Sequence, residues 1–323
     1  MGRRNIQRLV RVVSAMADQA RRALYRREAR AFVVSWSAAV IGGCAIPGPS
    51  SDRASIRSLE RVAYAGLNGK PLSYLREGDA SMPRLIYVHG SPSDATSFAD
   101  DLLDPLPGFE SISIDRPGYG DASHTGTVES FAEQAAAIEP LLVERGGRWP
   151  ILVGHSLGGP IIARAAADYP GRVGGLVIVA GSLDPELEQP RWFNYLADAP
   201  PVRWLLPKMI RVSNDEMLAA PRETKLLEDV LTRVRCPVAI VHGTRDGLVP
   251  YANVAYTQRQ LTNAASITVT TLEGEGHFLV WKDEGREAIR DAIRSVESGM
   301  GQPRPAGADR DASDGAAGRN PDQ

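Results

Sequence analysis

Short apolar runs alternate with longer amphipathic stretches along the chain from about Ile56 onward. Runs of this kind are typical of buried strands. They occupy residues 85–89, 112–114, 151–153, 173–179, 237–241 and 267–270. Helix-length stretches, such as 129–145 and 161–169, lie between them. This alternation predicts an α/β fold in which a mostly parallel central sheet carries helices on both faces. Tyr64 and residues 72–75 are expected to add an antiparallel hairpin at one edge.

The alternation is interrupted once, between residues 184 and 235. This segment is rich in proline and carries four aromatic residues, Trp192, Phe193, Tyr195 and Trp204. We interpret it as an inserted helical lid, and a purely structural excursion is the alternative. The aromatic side chains either line an apolar acyl pocket or hold the lid onto the body, and the sequence leaves both interpretations open.

The N-terminal end has the pattern of an export signal. A basic stretch precedes the apolar residues 31–43, which are too few to span a bilayer and are typical of a signal peptide. The run ends in Ile41-Gly42-Gly43-Cys44, which resembles the lipobox of bacterial lipoproteins. This resemblance implies lipidation at Cys44 and a periplasmic or outer-membrane-anchored protein. Loss of palmitate-analogue labelling in Cys44→Ser would test it. A start at Met16 would shorten the signal to a normal length. The alternatives are plain secretion, a retained anchor, or an uncleaved helix with a buried cysteine in a cytoplasmic protein.

These features divide the chain into six segments. We predict a signal peptide (1–43), a tether (44–55), a core in two parts (56–183 and 236–298), a lid between them (184–235) and a C-terminal tail (299–323). The tail holds almost no apolar residues after Met300, which predicts disorder.

Charge and composition narrow the classes of partner. Residues 44–323 carry 28 basic and 37 acidic side chains and show no basic patch, which argues against a nucleic-acid partner. The two cysteines allow at most one disulfide and have no metal-ligand spacing. The glycine clusters lack a phosphate-loop pattern. We therefore expect no metal and no cofactor.

The strongest chemical signal is Gly154-His155-Ser156-Leu157-Gly158. It follows a predicted buried strand and precedes a predicted helix, the context of a nucleophile elbow. Glycines flank the serine because a Cβ there would collide with neighbouring backbone on so tight a turn. The pattern makes Ser156 the candidate nucleophile.

A serine hydroxyl needs a base, and five histidines could supply one. His277 is the candidate because it follows the last strand in a glycine-containing loop, and His124 is the rival. The other three are expected to point elsewhere or to pack at strand ends. Asp246, after the preceding strand, is the candidate for orienting the base, and Asp184 is the alternative.

The negative charge that develops on a substrate carbonyl needs prepositioned donors. The loop after the first buried strand should aim the Ser91 N–H at the site, and the Leu157 N–H should supply the second donor. Each donor of this kind lowers the barrier by on the order of 3 kcal/mol.

Five motifs in order, HGSP (89–92), DRPGYG (115–120), GHSLGG (154–159), HGTRDGLVP (242–250) and GEGHF (274–278), resemble the α/β-hydrolase superfamily across residues 59–298. The order Ser156, Asp246, His277 matches the chain order of that fold. In the family the DRPGYG loop is usually structural, which is the role expected here. Related haloalkane dehalogenases and epoxide hydrolases carry an aspartate at the elbow, where this chain has Ser156. Its HGSP segment also departs from the HGGP of the related proline iminopeptidases.

The resemblance therefore implies a serine hydrolase acting on small-molecule carboxylic esters with small to medium apolar groups, through an acyl-enzyme. Two alternatives stay open. One is a carbon–carbon bond hydrolase that uses the same three residues. The other is a ligand-binding receptor with negligible turnover. Oligomeric state is not readable from the sequence.

Overall fold

A computed structural model describes residues 48–300, which from Pro49 onward form one compact unit. A sheet of eight strands runs through it in the order β1-β2-β4-β3-β5-β6-β7-β8. The strands are β1 Glu60–Ala65, β2 Pro71–Glu77, β3 Arg84–Val88, β4 Glu110–Ile114, β5 Ile151–His155, β6 Gly175–Val179, β7 Val238–Gly243 and β8 Ile267–Leu272. Strands β3 to β8 pair in parallel, whereas β1 and β2 form the antiparallel edge hairpin. The predicted fold class is confirmed.

Nine α-helices connect the strands within the described residues. They are α1 Arg53–Ser58, α2 Ala99–Leu103, α3 Phe131–Ile138, α4 Gly158–Asp168, α5 Trp192–Asp198, α6 Val202–Leu205, α7 Lys208–Glu228, α8 Ala252–Gln260 and α9 Asp283–Gly299. Short 3₁₀ turns supplement them at Leu67–Gly69, Ala95–Phe98, Gly120–Thr125, Glu139–Leu141, Leu231–Arg233 and Leu279–Trp281. No helix between residues 48 and 300 is both long and apolar enough to cross a membrane.

The sheet has a buried core on each face because successive strand side chains point in opposite directions. On β3, Ile86 and Val88 pack with α3 and α4 on one face. Leu85 and Tyr87 pack with α2 and α9 on the other. Burial on both faces explains why the central strands consist of continuous apolar runs rather than alternating ones.

Two helices differ in length from the sequence expectation. Helix α3 ends at Ile138, well short of the predicted residue 145, and continues only as the 3₁₀ turn Glu139–Leu141. Pro140 explains the early end, because its ring lacks an N–H and collides with the carbonyl four residues before it. Helix α4 begins at Gly158, three residues earlier than predicted, since Pro160 is tolerated in a first turn.

The predicted segments can be compared with the structure at three places. Helices α5, α6 and α7 lie in residues 184–235, where a helical lid was predicted; whether it acts as a lid stays a prediction. The predicted tether is already bound to the domain at Ser50 and Ser51, whose N–H groups donate to Asp100. Helix α1 begins at Arg53, inside the predicted tether, and none of its residues is fully buried. Cys44, the signal segment 1–43 and the tail from residue 301 lie outside the described residues.

Candidate active site

The predicted site residues follow the carboxyl ends of four parallel strands. Ser91 follows β3, Ser156 follows β5, Asp246 follows β7 and His277 follows β8. Strands β3 and β5 are neighbours in the sheet, although β4 separates them in sequence. From β3 the chain continues to β4 on one side of β3, and it then returns to β5 on the other side. Open α/β sheets bind their ligands at the point where the strand order reverses in this way.

Ser156 sits on a strained turn between β5 and α4. Its φ is 55°, in the left-handed region that a residue with a side chain rarely adopts. The flanking glycines are required by close approach. A Cβ on Gly154 would lie 2.4 Å from the Gly158 carbonyl oxygen, and a Cβ on Gly158 would lie 2.2 Å from the Val88 carbonyl oxygen. The turn thus presents the hydroxyl of Ser156 at the end of the sheet.

His277 is held by Asp246. Its Nδ1 lies 2.7 Å from Asp246 Oδ2, and both side chains are at least nine-tenths buried. This contact leaves Nε2 as the nitrogen free to exchange a proton with a hydroxyl. His277 and Ser156 line the same cavity, so the base and the nucleophile face one space.

The carboxylate of Asp246 is built to remain ionised. Burial of the carboxylate favours its neutral form and by itself raises the pKa. Hydrogen bonds from His242 and His277 and from the Val249 N–H outweigh this effect and hold the pKa of Asp246 well below its usual range. Asp246 Oδ1 also accepts the N–H groups of Leu248 at 2.9 Å and Val249 at 2.8 Å. The carboxylate therefore has a fixed orientation toward His277.

His155, which was expected to point elsewhere, supports the base. Its Nε2 lies 3.0 Å from the His277 carbonyl oxygen, and the two ring centroids are 4.9 Å apart. Burial, together with the charge of His277, lowers the pKa of His155 to about 3. The ring is therefore neutral, and its Nε2–H can donate to the carbonyl. Sequence position gave no sign of this contact.

The two predicted oxyanion donors lie at the cavity. Ser91 and Leu157 both line it, together with Ser156. Neither of their N–H groups hydrogen-bonds to another group in the described part of the chain. Two unused donors beside a candidate nucleophile form the arrangement that stabilises a negative oxygen.

His89 fixes the backbone that carries Ser91. The Arg116 N–H donates to His89 Nε2 at 3.2 Å, so the ring proton sits on Nδ1, which donates to the Gly90 carbonyl at 2.7 Å. Burial lowers the pKa of His89 far below its ordinary value, and the nearby Arg116 charge adds to the effect. A neutral imidazole of defined tautomer thus holds the loop in place.

The DRPGYG loop connects this region to helix α7. Arg116 binds Glu216 of α7 through Nη1 at 2.6 Å and Nη2 at 3.2 Å. Tyr119 donates to Glu216 Oε2 at 2.5 Å, and its hydroxyl lies 2.8 Å from Ser91 Oγ. Ser91 Oγ also donates to Ser213 Oγ of α7 at 3.0 Å. The loop is structural, as expected, and what it supports is the Ser91 segment.

The cavity in front of Ser156 has a volume of about 540 Å³. Its lining comprises Ser91, Ser156, Leu157, Ser182, Leu187, Glu188, Gln189, Pro190, Arg191, Phe193, Asn194, Met217, Gly247, Leu248, Val249, Pro250 and His277. Of the four predicted lid aromatics, Phe193 alone is among these residues. Trp192, Tyr195 and Trp204 are not among the lining residues, so of the four only Phe193 fits the interpretation of a pocket lining. Tyr195 is 61% exposed and Trp204 is 71% exposed, because helices α5 and α6 turn them toward solvent. Trp192 packs edge-on against Phe193.

The rival residues lie away from the base. Asp184 Oδ1 accepts the Glu186 N–H, and the residue bound to His277 is Asp246. His124 lies in the Gly120–Thr125 turn and contacts the Asp121 carbonyl. In residues 48–300, no group of three or more His, Cys, Asp or Glu side chains is arranged to hold a metal ion.

Several site residues carried no usable sequence signal. Glu188 and Glu216 lie in the lid segment, which has no readable motif. Arg116 and Tyr119 lie in a recognisable loop, yet their partner is distant in sequence by about a hundred residues. Only the packing of α7 over the sheet brings them together.

Comparison with known proteins agrees with this geometry. Residues 85–292 match the sequence model of the alpha/beta hydrolase family. A non-heme chloroperoxidase from Streptomyces lividans is 27% identical over 241 residues, which cover 61% of this chain and 85% of that protein. An sn-1-specific diacylglycerol lipase from Mus musculus is 31% identical over 118 residues, 36% of this chain and 38% of the lipase. The crystal structure of a Paleococcus ferrophilus monoacylglycerol lipase superposes with a TM-score of 0.56 at 21% identity, covering 71% of this chain and 99% of the lipase.

Proposed function

The chain belongs to the alpha/beta hydrolase family. On that premise we propose that it hydrolyses carboxylic esters of small to medium substrates through an acyl-enzyme on Ser156. The observation that carries the proposal is the 2.7 Å contact between His277 Nδ1 and Asp246 Oδ2, with His277 and Ser156 facing one cavity.

In the first half-reaction, His277 Nε2 takes the proton of Ser156 as its Oγ attacks the ester carbonyl. The N–H groups of Ser91 and Leu157 stabilise the resulting oxyanion. His277 then gives the proton to the departing alcohol, which leaves an ester between the acyl group and Ser156. Asp246 stays ionised throughout and stabilises the imidazolium.

In the second half-reaction, His277 takes a proton from water, which attacks the acyl-enzyme. Collapse of this second tetrahedral intermediate breaks the bond to Ser156 Oγ, and the proton returns to Oγ. The carboxylic acid leaves. No cofactor takes part in either half-reaction, and the same donors serve both oxyanions.

The cavity supports the proposed substrate size. Its volume of about 540 Å³ falls within the range of roughly 300–1,000 Å³ that holds small organic ligands. Leu187, Phe193 and Met217 give it apolar surface, which favours a short acyl or alkyl group.

The first test is labelling of the full chain with a fluorophosphonate probe, beside Ser156→Ala. Labelling of the wild type alone would support an activated serine at this position. The second test is steady-state hydrolysis of 4-nitrophenyl butanoate. A burst of one equivalent without turnover would favour the ligand-binding receptor, and turnover restricted to diketone-type substrates would favour carbon–carbon bond hydrolysis.

A further inference from the structure

One side chain in the cavity has no part in the chemistry described above. Glu188 lines the same cavity as Ser156 and His277. Among residues 48–300, no side chain or backbone group forms a hydrogen bond or an ion pair with its carboxylate. An acidic group inside a cavity is normally paired, since burying an unpaired charge is costly. Glu188 is therefore available to a ligand.

The surroundings of Glu188 are electronegative. Burial, together with the negative charge of Asp184, raises the pKa of Glu188 to about 7. The other charged or titratable groups that line the cavity are Arg191 and His277. Arg191 is exposed and is not among the groups that act on the Glu188 carboxylate, so it does not neutralise that carboxylate.

We infer that Glu188 sets substrate specificity, and that the cavity favours esters carrying an ammonium group. This inference rests on the proposed function and names its substrate class. Cationic N–H groups make charge-assisted hydrogen bonds with a carboxylate, which are roughly twice as strong as neutral ones. An anionic substrate would be repelled by Glu188 and Asp184. A fully apolar group would remove water from the carboxylate and offer no partner in return.

Glu188 lies in a cavity whose other lining residues are partly apolar. Leu187 and Pro190 flank it in sequence and line the cavity as well. A short alkyl chain ending in an ammonium group would pack its methylenes against these residues and place its charge at Glu188. Asn194, the polar side chain of α5 that lines the cavity, is already engaged, since its amide donates to Asn214 and accepts from the Arg191 N–H.

The test compares two inhibitors of 4-nitrophenyl butanoate hydrolysis that differ in charge, pentylammonium and 1-pentanol. We expect the wild type to bind pentylammonium the more tightly, by about fivefold to tenfold in Ki. In Glu188→Gln this preference should fall to about one.

Glu186→Gln is the matched control. Glu186 is an exposed carboxylate two residues away that does not line the cavity. Glu186→Gln removes the same charge from the same loop, so this variant should keep the wild-type preference for pentylammonium. An equal loss in both variants would mean a general field effect and would overturn the role of Glu188.

The pH dependence of pentylammonium binding tests the charge of Glu188. Glu188 is neutral well below pH 7 and charged well above it, so pentylammonium binding should tighten from pH 6 to pH 8. Glu188→Gln removes this carboxylate, so the part of the slope that the variant loses belongs to Glu188. An unchanged slope in the variant would contradict the inference.

Failure of the proposed function gives a different result. If the wild type hydrolyses no ester faster than Ser156→Ala, binding of pentylammonium and pentanol is measured by calorimetry on the same protein. Preferential binding of the cation, lost in Glu188→Gln, would support the inference without turnover. Equal and weak binding of both compounds by the folded wild type would overturn it.

Discussion

His155 Nε2 lies 3.0 Å from the backbone carbonyl oxygen of His277. The residue directly before the nucleophile thereby holds the loop that carries the base. Two residues 122 positions apart in sequence are joined through an imidazole that burial keeps neutral. The turn after β5 therefore positions the loop of His277, the candidate base, as well as Ser156, the candidate nucleophile.

Replacement of His155 by phenylalanine should lower kcat by about tenfold with little change in KM. The donor to the His277 carbonyl is lost, and the base becomes less well aligned with Ser156. Kinetics on 4-nitrophenyl butanoate measure the effect. His124→Phe is the control because His124 lies away from the cavity. Equal kcat in both variants would show that the His155 contact is not needed.

His155 should also make stability depend on pH. Its pKa is about 3 in the folded chain and about 6.5 in the unfolded chain. Above pH 6.5 both states are neutral and there is no effect. Below it the unfolded chain takes up a proton that the folded chain does not, so stability falls as pH falls toward 3. At pH 5 this amounts to about 2 kcal/mol. Urea unfolding at pH 7.5 and pH 5 should show a smaller loss in His155→Phe, and identical losses would refute the prediction.

Asp246→Asn should lower kcat by on the order of 10³–10⁴ without unfolding the protein. The amide oxygen can still accept the N–H groups of Leu248 and Val249. Its NH₂ would face His277 Nδ1 and force the imidazole into the wrong tautomer. Circular dichroism checks the fold, and kcat checks the chemistry. Retained activity would transfer the orienting role to another acid, with Asp184→Asn the next variant.

Gly90→Ala should block the nucleophile while leaving the fold intact. The added Cβ would lie 2.8 Å from Ser156 Cβ and 3.4 Å from its Oγ. Fluorophosphonate labelling should slow by about tenfold or more, since the hydroxyl is displaced from the oxyanion donors. Gly247→Ala is the matched control: this glycine also lines the cavity, yet its Cβ would meet nothing within 4 Å. Equal labelling of both variants would disprove the steric argument.

Glu216→Gln should destabilise the protein by about 3–5 kcal/mol. The change leaves the Arg116 guanidinium buried without its counter-charge, and both side chains are about 1% exposed. Glu297→Gln breaks a partly exposed pair with Arg148 and should cost less than about 1 kcal/mol. Urea denaturation compares the two. Similar small losses would mean that Arg116 finds another partner.

The sequence determined the sheet and the candidate site at its edge. Continuous apolar runs identify buried strands because both sides of each strand are covered. The glycines around Ser156 are readable because only glycine avoids the backbone contacts of that turn. Strand-end positions then place Asp246 and His277 near it, since parallel strands end at one edge.

Tertiary structure decided the contacts between distant segments. Helix α7 brings Glu216 to Arg116 and Tyr119, and the loop before α5 brings Glu188 into the cavity that Ser156 also lines. The helix and strand propensities of the local sequence predict neither placement, because both depend on how the helices after β6 pack against the sheet. The same packing turned Tyr195 and Trp204 outward, although aromatic residues in that segment suggested a pocket lining. Hydrophobicity predicts that a side chain tends to be buried, and only the packing of the whole chain decides against which neighbours.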